Sequence, residues 1–109
     1  MKALVMARST FVRLTLLFSA ALEERLVEFM LAQTPPLPGF TVLRGEGHGE
    51  AFINASVREQ VLGRLDRRLL VMILSDERCD PLIQTLAEAF QGTDLVLWTE
   101  AISGYRELT

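Results

Sequence analysis

Residues 11–18 read FVRLTLLF: Val12, Leu14, Leu16 and Phe18 fall on one side, and Phe11, Arg13, Thr15 and Leu17 on the other. A period of two with one wholly apolar side predicts a strand laid on a core. Ser19 then offers a hydroxyl to the free amides of a helix start, and Glu23 and Glu24 suit the positive end of that helix. Leu22, Leu26, Phe29 and Met30 recur at helical spacing as one apolar stripe, with Arg25 and Glu28 facing away. Pro35, Pro36 and Pro38 with Gly39 end the helix, because proline lacks the amide proton a further turn would use.

Residues 40–44 form a second strand candidate and run into Gly45-Glu46-Gly47-His48-Gly49, where three glycines in five residues predict a mobile or tightly turned backbone. Ser56-Val57-Arg58-Glu59 fits a capping box and predicts a short helix near residues 57–63; an irregular return arm over 57–65 competes with it. Residues 68–75, RLLVMILS, have the length and Val/Ile content of a central strand. Asp80 as cap and Pro81 in the first turn predict a second long helix, carried by Leu82, Ile83, Leu86, Ala89 and Phe90 and ended by Gly92. Residues 94–99, DLVLWT, complete the set as a fourth strand.

The order strand, helix, strand, strand, helix, strand predicts an α+β fold of the ferredoxin-like βαββαβ kind. Its four-stranded antiparallel sheet carries both helices on one face. The strands hold more apolar residues than one face requires, so Val71, Ile73 and Trp98, or their alternates, should point away from the helices. An open apolar sheet face predicts oligomerisation.

With 109 residues the chain makes one domain, expected at 11–109 behind a loosely ordered lead-in at 1–10. Half of the residues are hydrophobic, which excludes wholesale disorder. The longest apolar runs, 14–18 and 69–74, fall short of the roughly 20 residues of a spanning helix. Lys2, Arg8 and Arg13 before LTLLFSAA imitate a secretory signal, but the apolar stretch is too short, so a cytoplasmic location is expected; Met6 is a second candidate start. The 11 basic against 14 acidic side chains argue against a nucleic-acid binder. One cysteine, Cys79, and one histidine, His48, exclude an internal disulfide, multi-cysteine metal sites and a two-histidine relay.

Two groups of residues could carry chemistry. In Gly47-His48-Gly49 the glycines would let a ligand approach the backbone while His48 offers a nitrogen to an anion or metal; a plain turn with an exposed histidine is the alternative. A metal site would have to share His48 between subunits, with Glu46 and Glu50 as nearby hard ligands. Arg58, Arg64, Arg67 and Arg68, offset by Glu59 and Asp66, suit phosphates or carboxylates, or else ion pairs within the protein. Gln60 and Glu59 could orient a ligand. Asp76, Glu77 and Asp80 around Cys79, expected on a loop, would raise a thiol pKa rather than activate it. Trp98 suits packing better than base stacking. No nucleophile–base pair, phosphate loop or dinucleotide fingerprint emerges, so no enzyme is expected.

The segments PGFT (38–41), GHG (47–49) and SVREQVLGR (56–64) resemble the domain-of-unknown-function family 3240 (DUF3240), within the superfamily of PII-like signalling proteins. The similarity spans about residues 11–105, and E-Q-V-x-G-R is its most specific part. The resemblance implies a homotrimer that binds a small effector, an adenine nucleotide, another anion or a divalent metal ion, in clefts between subunits. A long loop, here residues 45–66, would reach a partner, and relatives point to a heavy-metal efflux transporter. It implies effector contacts at Gly47, His48, Gly49, Arg58, Gln60, Gly63 and Arg64, with Arg64 the foremost anion contact. The arginine-rich strand end of the nitrogen-regulatory kind has only Arg106 as a counterpart. The alternatives are a CutA-like metal-binding protein with shared sites and a small ferredoxin-like enzyme or effector-binding module.

Overall fold

The apolar side of the first strand does become the middle of the core. In the computed structural model, which describes residues 10–49 and 56–108, Leu14, Leu16 and Phe18 are fully enclosed. The elements in chain order are β1 (Phe11–Ser19), a 3₁₀ turn (Ala20–Leu22), α1 (Glu23–Leu31), β2 (Phe40–Gly47), α2 (Val57–Leu62), β3 (Leu65–Ser75), α3 (Asp76–Ala89) and β4 (Val96–Ala101). Among the described residues the strands form one antiparallel sheet in the order β2-β3-β1-β4. The α+β, ferredoxin-like architecture expected from the sequence is the one observed. The lead-in expected at 1–10 lies outside the described residues except for Thr10, and so do Glu50 and the rest of 50–55.

Register explains the two faces. Leu14 pairs with Met72 and Leu16 with Leu70, so these side chains share one face of the sheet. Leu26 and Met30 of α1 and Cys79, Leu82 and Leu86 of α3 pack on that same face in one cluster. Enclosing such side chains stabilises the fold by about 1.5–3 kcal/mol each. On the opposite face Leu17 pairs with Leu69 and Val96, and Thr15 with Val71 and Trp98. No helix among the described residues packs on this side; Tyr105 of the C-terminal segment lies against Phe11 at one end of it, ring centroids 5.0 Å apart, and Leu43, Val96 and Trp98 keep 47%, 51% and 40% of their surface exposed.

Several element boundaries differ from expectation. The long helix starts at Asp76, where Ser75 Oγ accepts from the Arg78 amide at 3.3 Å, so Ser75 rather than Asp80 is the cap. Pro81 sits inside the helix and forgoes the bond to the Glu77 carbonyl, which the acidic first turn and the buried face outweigh. Cys79 therefore lies buried on a helix instead of on a loop. Ser19 makes no side-chain cap; its amide and hydroxyl both face Asp94 Oδ1 at 3.4 Å. That contact holds Asp94 in a turn, and β4 begins two residues later than expected. Arg25, expected on the solvent side, lies over the Phe90 ring at 4.5 Å and donates to the Ala89 carbonyl.

Candidate functional site

The helix predicted near 57–63 forms over Val57–Leu62, and its capping box is complete. Ser56 Oγ accepts from the Glu59 amide at 3.1 Å, and Glu59 Oε1 accepts from the Ser56 amide at 2.8 Å. Gly63 closes α2 at φ 72°, a left-handed conformation that favours glycine, and its amide bonds the Glu59 carbonyl. The chain then turns through Arg64 into β3. Gly45, Glu46 and Gly47 pair with Arg67, Asp66 and Leu65 as the last rungs of the β2–β3 ladder. The connection expected at 45–66 is therefore shorter, spanning residues 48–64.

This corner encloses a cleft of about 430 Å³. Ala20 and Ala21 line one side, Ser56, Arg58 and Glu59 of the α2 segment another, and Glu46, Arg64, Leu65 and Asp66 the strand ends. The carboxylates around it have assigned partners. Glu46 Oε2 lies 3.4 Å from Arg64 Nε, and its Oε1 lies 3.7 Å from His48 Nε2. Asp66 Oδ1 accepts from Arg68 at 2.6 Å, and Glu59 Oε2 accepts from the Asp66 amide at 2.5 Å. Two backbone amides, those of Ser56 and Asp66, hold the Glu59 carboxyl below its ordinary pKa. The hydrogen bond to Asp66 raises the pKa of the nearly enclosed Arg68 guanidinium.

Of the residues implicated from the sequence, Arg58 and Arg64 meet in the cleft, and Gly63 sets the turn that delivers Arg64. Gly47 is buried and paired with Leu65, whereas His48 and Gly49 lie beyond the strand end, exposed, with Gly49 at φ 76°. Gln60 is exposed and does not line the cleft. Arg68 is tied to Glu23 and Asp66, the ion-pair alternative for that member of the arginine group. Among the described residues no three His, Cys, Asp or Glu side chains gather as a metal site would need. Sequence reasoning missed Ala20 and Ala21. Two small residues directly after a strand were the available signal, since larger side chains there would fill the cleft.

The cleft carries two guanidinium groups, fork donors suited to phosphate or carboxylate oxygens, beside the carboxylates of Glu46, Glu59 and Asp66. No helix of the described residues is long and apolar enough to cross a membrane. No curated protein matches the chain. Among solved structures the fold is similar to that of a protein from Thermus thermophilus described as PII-like signalling. The TM-score is 0.62 at 23% identity, covering 86% of this chain and 88% of that one. It is also similar to CPII, a nitrogen regulatory PII-like protein from Thiomonas intermedia whose structure is bound to ADP, AMP and bicarbonate. There the TM-score is 0.66 at 16% identity, covering 91% and 97%. Identities this low carry the fold alone. The sequence model of the family described as protein of unknown function (DUF3240) matches residues 8–107, so this chain, PII-like in fold, belongs to the DUF3240 family.

Proposed function

We propose that this chain is a PII-like regulatory protein that works as a homotrimer and binds a small anionic effector, an adenine nucleotide with or without bicarbonate, in the Arg58–Arg64 cleft. The observation that carries the reading is the placement of those two guanidinium groups in a recess at the root of the β2–β3 connection. Arg68 holds Asp66 and two backbone amides hold Glu59, while Glu46 pairs with Arg64 itself and has to yield that guanidinium to an incoming phosphate. Binding there would bias the adjoining connection toward one of its positions, a population shift read out by a partner. Family resemblance makes a heavy-metal efflux transporter the first partner to test. The uncovered apolar sheet face, with Leu43, Val96 and Trp98 exposed, is the surface for the trimer. CPII, bound to ADP, AMP and bicarbonate, supports the choice of probes.

A thermal-shift screen of ADP, AMP, bicarbonate, zinc and copper tests the reading. A ligand at a hundredfold excess over its Kd adds about 2.7 kcal/mol of stability. Stabilisation by the nucleotides or bicarbonate, together with slowed hydrogen exchange over residues 45–66, is expected. Stabilisation by a metal alone would transfer the site to the CutA-like reading, and no response to any probe would reject the effector site.

A further inference from the structure

We propose that Glu59 is the positioning residue of the anion cleft, holding Arg64 in place through the start of β3 and not through the cap of α2. The inference rests on the effector site proposed above. A capping box needs only one acceptor from its glutamate, and Oε1 supplies it to the Ser56 amide. The second oxygen does something a cap does not require. It accepts from the Asp66 amide, seven residues onward and on another element. The Glu59 carbonyl accepts from Gly63 at 2.9 Å and from Arg64 at 3.3 Å. One residue thus holds the chain on both sides of Arg64, by its carbonyl before the side chain and by its carboxylate after it. Glu59 need not touch an anion to matter, because the guanidinium is aimed by the backbone that carries it.

Glu59→Gln separates the two roles. An amide keeps one oxygen, enough for the cap, but its NH₂ group cannot accept from the second backbone amide. Calorimetric titration with ADP should show affinity about tenfold weaker in Glu59→Gln, the scale of one hydrogen bond to a charged group. In an Arg64→Ala background the same replacement should weaken binding no further, since Glu59 acts through Arg64. Exchange of the Asp66 amide should quicken about tenfold in Glu59→Gln. Ser56→Ala, which removes only the capping hydroxyl, should leave that exchange unchanged. Wild-type affinity in Glu59→Gln, or a full additional loss on top of Arg64→Ala, would overturn the proposal. If the wild type takes up no ADP, the effector reading fails, and the Asp66 exchange alone decides the role of Glu59. The same exchange decides if Arg64→Ala leaves too little binding to compare.

Discussion

Arg68 Nε donates to Glu23 Oε1 across 2.8 Å and so fastens β3 to the first turn of α1. The same guanidinium holds Asp66 and the Arg67 carbonyl, with its side chain only 10% exposed. Arg68→Met should lower stability by about 1–2 kcal/mol in urea melts. That lies below the cost of orphaning a fully buried charge, because Glu23 and Asp66 can rehydrate. Glu23→Gln should cost less than about 1 kcal/mol. A wild-type midpoint for Arg68→Met would show that the network holds nothing.

Acid should act through Glu59. Its carboxyl binds a proton less readily in the folded protein than at the ordinary value of 4.5, because the Ser56 and Asp66 amides favour the anion. The unfolded chain therefore takes up more protons as pH falls, and this contribution to stability is complete above about pH 4.5 and is lost below it. Urea midpoints at pH 7 and pH 3.5 should differ less in Glu59→Gln than in the wild type. An equal acid sensitivity in both proteins would contradict the assignment.

Cys79 should be inert in the native protein. Burial raises its thiol pKa, and Asp80 and Asp76 raise it further. At pH 8 an aromatic disulfide reagent should label it only in denaturant. Rapid native labelling would mean that the first turn of α3 opens.

The sheet and its two faces were legible because periodicity reports burial directly, as Leu14, Leu16 and Phe18 against Thr15 and Arg13 illustrate. Boundaries were less so where two local signals competed. Asp80-Pro81 looks like a helix start, yet Ser75 begins the helix a turn earlier, since the buried face of Cys79 and Leu82 decides where it docks. Of the cleft, Arg58 and Arg64 could be named from the sequence, with Gly63 at the turn that delivers Arg64. The role of Asp66 could not, because its amide meets Glu59 only once α2 has folded back beside β3.

Assembly should depend on the uncovered face. Val71 sits at its middle, paired with Thr15 on one side and Thr41 on the other. Val71→Asp should convert the expected trimer to folded monomers by light scattering, with the far-ultraviolet dichroism unchanged. A Val71→Asp protein that still assembles would move the interface elsewhere.

Calorimetric titration of the intact protein with ADP, in the presence and absence of bicarbonate, tests the effector cleft most directly when run beside Arg64→Ala. Saturable binding in the wild type is expected, weakened at least about tenfold by the replacement, the scale of one charge-assisted contact, with the oligomer intact. Undetectable binding in the wild type, or equal affinity in the two proteins, would contradict it.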